Sequence, residues 1–340
     1  MEKIAFISGG TFIYWSSILL ALAAFTAITM FAAMYIGKGG NVIGMCATIP
    51  LAMVGSIALS RLLHWYCRSD AYASLEAAMT DYSQGGFALM GTFIACIAVA
   101  AVLRLIRVVK NLPMMYDCMA IGGGCGIVVG RLASLFNASD RGMALADSVA
   151  FPFAYPVINT VSGVAENRLA TFMIQAGLTG TIVALLLIGM LGSRIFRKKI
   201  PHGDVALIFL LWYGASQIIC DSTRYDSLYL RSNGFISVVQ ILGLVALVFP
   251  ILVFSVRMVK HMGIKVIHFV LWLVILGMMG LAGYMEYYVQ RHGNEAAFAY
   301  SLMGTGLAVI VLVTLVIRTL GLHAARKKAK AAARAASAVA

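Results

Sequence analysis

The chain has 340 residues, of which 61% are hydrophobic and only 11% are charged, and its formal net charge is +13. This composition excludes a soluble globular domain, in which roughly 25% of the residues are charged. The excess of Lys and Arg lies at the ends of apolar segments and in the C-terminal tail. That distribution fits membrane topology and gives no reason to expect a nucleic-acid partner.

Apolar runs of about 20 residues recur along the chain, and each is long enough for a helix to cross a hydrocarbon core of about 30 Å. A spanning segment must satisfy its own backbone polar groups, and these runs are continuous rather than alternating, so they predict helices. The predicted fold is an all-α integral membrane protein with about nine spans. They are residues 11–36, 42–66, 86–109, 113–136, 168–192, 204–220, 235–256, 266–285 and 297–318.

Nine spans place the two termini on opposite sides of the membrane. Most of the 26 Lys and Arg residues fall on one side, in the loops after the first, third, fifth and seventh spans and in the tail. By the positive-inside rule that side is the cytoplasm, so the N-terminus is expected outside and the C-terminus inside. The outer loops 67–85 and 138–167 are where an extracytoplasmic head would form. The tail 323–340 predicts either a basic helix on anionic lipid or a disordered topology signal.

The six cysteines include no CxxC pair and fall mostly within apolar spans, so they read as buried apolar side chains rather than disulfides or metal ligands. The histidines form no metal-ligand pair. Neither GxSxG nor HExxH occurs, which leaves serine-hydrolase and zinc-protease chemistry without support. No metal and no cofactor are expected.

Ionisable groups at the margins of spans are costly and therefore mark candidate sites. The candidates gather at the outer ends of the predicted helices: Arg61, His64, Arg131, Asn137, Arg168, Gln175, Asp221 and Arg224. Converging arginines would give forked donors suited to a lipid phosphate. The alternatives are that each arginine reaches separately to headgroups, and that Asp221 and Arg224 form only a helix-end ion pair.

A glycine-rich stretch precedes Arg131 in the fourth span, with glycines at 122, 123, 124, 126 and 130. It lacks the Lys-Ser/Thr of a phosphate-binding loop and lies in no strand-helix unit. Close helix packing explains it better, because Gly126 and Gly130 have GxxxG spacing.

Residues 130–142 read GRLASLFNASDRG, which resembles the signature GRxGNFxNxExxG of bacterial prolipoprotein diacylglyceryl transferases. Other matches follow the family in order. They are Arg61, the Gly-Gly segment at 85–92, Asp117, the FPxA stretch at 151–154 with Pro156, Tyr213-Gly214 with Asp221 and Arg224, and Ser237 with Gln240. The ordered matches indicate a divergent member of this family.

The resemblance implies transfer of the diacylglyceryl group of phosphatidylglycerol to the lipobox cysteine of a prolipoprotein signal peptide, at the outer leaflet of a bacterial plasma membrane. It also implies a seven-helix core in residues 1–260, two additional helices in 261–322 and a basic tail in 323–340. By position, Arg131 and Arg224 would hold the phosphate and Asp221 would fix Arg224. The other implied lipid-binding residues are Arg61, Asn137, Ser139, Gly142, Tyr213 and Gln240.

The chain departs from the family at its acid–base positions. The family histidine falls at Met90, its asparagine at Ser134 and its signature glutamate at Ser139. His64 would stand in as the base, or be only a helix-end histidine, and Asp140 would be a displaced acid. Two other readings follow: a non-catalytic member that binds lipid or a partner, and a small-solute transporter, for which the sequence has no inverted repeat.

Overall fold

The computed structural model describes residues 3–81, 85–146, 148–158, 163–195, 200–230, 233–292 and 295–339. Residues 196–199, in the basic loop after the fifth predicted span, and residues 147 and 159–162, in the predicted head, lie outside these ranges. The helices are α1 (Trp15–Gly37), α2 (Val42–Cys67), α3 (Leu75–Thr80), α4 (Leu89–Leu105), α5 (Leu112–Leu132), α6 (Thr171–Ile195), α7 (Asp204–Ser222), α8 (Val238–Met262), α9 (Val266–His292) and α10 (Ala296–Val339).

The prediction of an all-α integral membrane protein is confirmed. Within the described ranges, eight helices are long and apolar enough to cross a membrane. The third predicted span corresponds to α4, which is apolar and has 17 residues, so its length of about 26 Å is close to the thickness of a hydrocarbon core. Large apolar side chains such as Phe25, Val54 and Val245 face outwards, as a lipid environment permits.

Within the described ranges, three short antiparallel hairpins precede three of the membrane helices. They are β1 (Ile4–Ser8) with β2 (Thr11–Tyr14), β3 (Ala154–Ile158) with β4 (Ala165–Leu169), and β5 (Tyr229–Leu230) with β6 (Asn233–Ser237). The spans predicted from 11, 168 and 235 therefore begin later, at Trp15, Thr171 and Val238. Apolarity alone cannot separate a short strand rich in β-branched and aromatic residues from the first turn of a helix.

The glycines of α5 allow a close approach of α1, so the packing prediction is confirmed. A Cβ atom on Gly122 would lie 2.7 Å from the carbonyl oxygen of Ala27, and one on Gly126 would lie 2.9 Å from that of Ala23. A Cβ on Gly130 would make only an ordinary contact at 3.4 Å. The tight pair is therefore Gly122 and Gly126, one helical turn before the predicted pair.

Asp117 caps a helix other than its own. It lies in α5, where its Oδ2 atom accepts a hydrogen bond from the Gly203 amide at 2.8 Å and its Oδ1 atom accepts one from the Ala206 amide at 2.9 Å. Both amides belong to the N-terminal end of α7, whose first N–H groups have no partner within the helix. The side chain is buried, and the Lys38 ammonium lies 4.0 Å away.

The chain divides into two compact units, Met1–Phe209 with Cys220–Leu242, and Leu210–Ile219 with Gly243–Ala340. In the first unit α1 packs on α5, α2 on α4, and α5 on α6. In the second, α10 packs along α9, and Trp272 donates a hydrogen bond to Ser255 at 3.0 Å. The described part of the basic tail continues α10 as a helix.

Candidate functional site

One loop carries the candidate site, in the first unit. After α5, a 3-10 turn (Ala133–Leu135) leads to residues 140–142, which pair with the segments flanking α6 and α7. The amide of Asp140 donates to Asp226 Oδ2 at 2.9 Å, and the amide of Gly142 donates to the Leu169 carbonyl at 2.8 Å. Residue 142 must be glycine, because a Cβ there would lie 2.6 Å from the Thr171 hydroxyl.

Asp140 lies at the centre of the site. Its Oδ1 atom is 2.8 Å from Arg131 Nη1 and 2.9 Å from Arg224 Nη2, and its Oδ2 atom accepts a hydrogen bond from Ser134 at 2.8 Å. The three charged side chains are 12 to 14% exposed. Burial alone would raise the pKa of Asp140, but the two guanidinium charges outweigh it and hold that pKa well below its usual range.

Arg224 has two further acidic neighbours. Its Nε atom donates to Asp226 Oδ1 at 2.9 Å, and its Nη1 atom lies 3.6 Å from Asp221 Oδ1. Burial lowers the pKa of Arg224, but the carboxylates of Asp140 and Asp226 outweigh it and raise that pKa above its usual value. Asp221 is itself held by a hydrogen bond from the Ser237 hydroxyl. The closest anchors of Arg224 are thus Asp140 and Asp226, with Asp221 farther away.

Two more arginines approach the same loop. Arg168 pairs with Glu166 at 2.7 Å and donates to the Gly142 carbonyl at 3.3 Å. Arg141 is 1% exposed, and its guanidinium lies 4.4 Å from the ring centres of both Tyr155 and Phe172. Burial lowers the pKa of Arg141. Arg131, Arg141, Arg168 and Arg224 therefore converge around residues 140–142.

Several residues expected to contact lipid have local structural contacts. Asn137 Oδ1 accepts hydrogen bonds from the amide of Ser139 at 3.0 Å and from its hydroxyl at 2.5 Å, which shapes the loop. Ser237 and Gln240 bond each other's backbone amides, both at 3.0 Å, and so form a capping box at the start of α8. Tyr213 is buried in α7, within the second unit.

Arg61 and His64 form a different centre at the end of α2. Arg61 is 1% exposed and donates to the carbonyls of Ala78, Asp81, Gly85 and Gly86, the last at 2.9 Å. His64 Nδ1 lies 2.9 Å from the Tyr72 hydroxyl, and the Arg61 guanidinium lies 5.0 Å from the centre of the Tyr72 ring. Arg61 thus donates to backbone carbonyls that precede α4, whereas Arg131 and Arg224 meet at Asp140.

The sequence analysis missed three members of the site. They are Asp226, Arg141 and Ser134, whose hydroxyl donates to Asp140. Asp226 follows Arg224 by two residues in a short polar segment between two spans, and that position was the available signal. Arg141 falls where the family signature specifies no residue, so the signature could not identify it. Two largely buried guanidinium groups that meet at one oxygen atom are an arrangement that binds anions, including phosphate.

Comparison with known proteins supplies a family. The model of the family described as prolipoprotein diacylglyceryl transferase matches residues 3–256. Curated proteins named phosphatidylglycerol–prolipoprotein diacylglyceryl transferase are similar to the chain over most of their length. The protein of Finegoldia magna is 25% identical over 252 residues, covering 72% of this chain and 93% of the relative. That of Lactococcus lactis subsp. cremoris is 26% identical over 265 residues, covering 76% and 96%.

Proposed function

Since the chain belongs to the prolipoprotein diacylglyceryl transferase family, we propose that it moves the diacylglyceryl group of phosphatidylglycerol to the thiol of a lipobox cysteine. The observation that carries the proposal is the meeting of Arg131 and Arg224 at one oxygen atom of Asp140. The proposed partners are the phospholipid and the signal peptide of a prolipoprotein, both within the membrane.

The proposed step breaks the bond between a glycerol carbon and a phosphate oxygen. The cysteine sulfur attacks that carbon, a carbon–sulfur bond forms, and glycerol phosphate leaves with the bonding electron pair. Negative charge grows on the departing phosphate, and Arg131 and Arg224 would stabilise it from fixed positions in a largely buried site. Asp226, and more distantly Asp221, would keep Arg224 in place.

The thiol must lose a proton, and His64 is the proposed base. It is half-buried, and one ring nitrogen is 2.9 Å from the Tyr72 hydroxyl. Residue 90, where the family histidine is expected, lies in the first turn of α4. A Cβ on the next residue, Gly91, would touch the backbone of Ser60, one turn of α2 before His64. This packing supports His64 as a replacement on the neighbouring helix.

We also propose the arrangement along the chain that the sequence predicted. Residues 1–260 would form the transferase core, 261–322 two additional helices, and 323–340 a basic tail. The family match ends at residue 256, which supports this division. The distribution of Lys and Arg supports an N-terminus outside and a C-terminus in the cytoplasm of a bacterial cell.

A non-catalytic lipid-binding member of the family is the second candidate. The observation that favours it is Met90, a buried apolar side chain where the family histidine is expected, together with a serine at residue 139 in place of the glutamate. Neither side chain takes up a proton near neutral pH. In this alternative the arginines would bind the lipid phosphate without bond cleavage.

The test is mass spectrometry of a synthetic lipobox peptide after incubation with the purified protein and phosphatidylglycerol. We expect a mass gain of one diacylglyceryl group. Arg224→Lys keeps the charge but loses the fork of donors, so we expect the transfer rate to fall about 100-fold or more. Arg104→Lys, an exposed position at the end of α4, is the matched control and should transfer at the wild-type rate.

The outcomes separate the two candidates. If the wild type binds phosphatidylglycerol but gives no product, the non-catalytic alternative replaces the transferase. If product forms equally with wild type and Arg224→Lys, the proposed phosphate role of Arg224 is wrong.

A further inference from the structure

The point where a lipid phosphate would meet Arg131 and Arg224 already holds an anion. One oxygen of Asp140 lies 2.8 Å from Arg131 Nη1 and 2.9 Å from Arg224 Nη2. A phosphate oxygen bound between two arginines makes the same pair of short, charge-assisted contacts. The carboxylate of Asp140 and a bound phosphate would therefore use the same N–H groups.

The charges of the cluster lead to the same conclusion. Arg131 and Arg224 carry two positive charges, and the two carboxylates that lie 2.8 or 2.9 Å from them, those of Asp140 and Asp226, carry two negative charges. These four groups in direct contact have no net charge, so they offer no net attraction to a phosphodiester anion. An acid must move away, or lose its charge, before the two arginines can bind phosphate tightly.

Asp140 is the acid best placed to move. Asp221 belongs to α7 and is held by Ser237, and Asp226 is held by both the Asp140 amide and Arg224 Nε. Apart from the two arginines, the Asp140 carboxylate has one hydrogen bond, from Ser134. Asp140 also has a φ of +57°, which an aspartate tolerates in a loop. Because its pKa is held low, Asp140 stays ionised near neutral pH, so rotation of the side chain is the route that remains.

We propose that Asp140 occupies the phosphate position between Arg131 and Arg224 and, by having to rotate away, sets the affinity of this site for the phosphodiester of an anionic glycerophospholipid. The proposal rests on the proposed function for the class of ligand, but it concerns binding and does not require turnover. Residue 140 falls at an unspecified position of the family signature, so the signature itself does not call for an acid there.

The experiment measures binding of dioctanoyl phosphatidylglycerol to the full-length protein in detergent by isothermal titration calorimetry. Asp140→Asn keeps the shape and removes the negative charge, so we expect its Kd to fall about tenfold relative to the wild type. Dioctanoylglycerol, which has no phosphate, should bind both proteins equally. Asp70→Asn, an exposed acid outside the cluster, should leave both Kd values unchanged.

A second variant keeps the test decisive if Asp140→Asn does not fold. Ser134→Ala removes the hydrogen bond that holds Asp140 Oδ2, and we expect it to tighten phosphatidylglycerol binding about threefold. Equal or weaker binding by the folded variants would overturn the proposal, because Asp140 would then only position the arginines. If the variants bind phosphatidylglycerol more tightly while the wild type leaves the peptide unmodified, this inference stands and the proposed transferase activity is wrong.

A third ligand identifies the source of the phosphate. Glycerol 1-phosphate, the proposed leaving group, carries a phosphate monoester instead of a phosphodiester and has no acyl chains. If Asp140→Asn tightens the binding of glycerol 1-phosphate and leaves the Kd of phosphatidylglycerol unchanged, the site does not select a lipid and the proposal is wrong. If the binding of phosphatidylglycerol is tightened at least as much, the lipid assignment holds.

Discussion

The first unit buries two arginine centres, and they are satisfied by different kinds of partner. Arg61, at the end of α2, donates to four backbone carbonyls in the segment 78–86. Arg131 and Arg224, at the ends of α5 and α7, share the carboxylate of Asp140. The sequence presents all three as arginines at the outer ends of predicted spans, and it gives no sign of this difference.

The partner decides whether a buried arginine is available to a ligand. A backbone carbonyl can leave a guanidinium only if the loop that carries it changes shape, whereas a carboxylate can leave by side-chain rotation. Arg61 therefore stabilises the conformation of the described residues between α2 and α4. The proposed role of Arg131 and Arg224 depends on this difference, because binding of a lipid phosphate requires the exchange of one anion for another.

The strongest test of this contrast is Arg61→Met. The methionine keeps much of the apolar stem but removes every donor, and it leaves four carbonyls without their guanidinium partner. We expect the free energy of unfolding to fall by about 3 kcal/mol. Thermal unfolding in detergent, followed by tryptophan fluorescence, measures the change, with the exposed Arg68→Met at the end of α2 as the matched control.

The same protein preparations show whether the contrast fails. Folded Arg61→Met should bind phosphatidylglycerol with nearly the wild-type Kd. A wild-type unfolding midpoint combined with lost lipid binding would mean that Arg61 is a lipid ligand after all, as its position in the family predicts.

Asp117 extends the contrast to acids. Its carboxylate accepts hydrogen bonds from the amides of Gly203 and Ala206, so its partners are backbone groups, like those of Arg61. We expect Asp117→Ala to lower the free energy of unfolding by about 2 kcal/mol, since buried donors at the start of α7 lose their acceptor. The control is Asp70→Ala, an exposed acid. An unchanged unfolding midpoint would show that the cap contributes nothing to stability.

Apolar patterning and charge were enough to predict the membrane helices, because length and hydropathy are properties of each segment alone. The hairpins before α1, α6 and α8 were not predicted, since each second strand leads directly into a span and hydropathy does not mark where the strand ends and the helix begins. The site was predictable only in part. Arg131 and Arg224 could be named from the family signature, but their meeting at Asp140 depends on a loop that brings together residues 84 positions apart in the chain.

The pH dependence of stability gives the finest test of the two centres. The pKa of Asp140 is held below the value of about 3.9 that an aspartate has in an unfolded chain. Its charge therefore stabilises the folded state fully above about pH 4, and this contribution is lost as the pH falls further toward the folded pKa. Backbone carbonyls have no corresponding titration.

We expect the difference in unfolding midpoint between wild type and Asp140→Asn to stay constant from about pH 8 to about pH 5 and to shrink below about pH 4. If the Asp140→Asn difference already shrinks between about pH 7 and about pH 6, the group that titrates is not an acid held by two arginines. The assignment of Asp140 as their counter-anion in the absence of lipid would then be wrong.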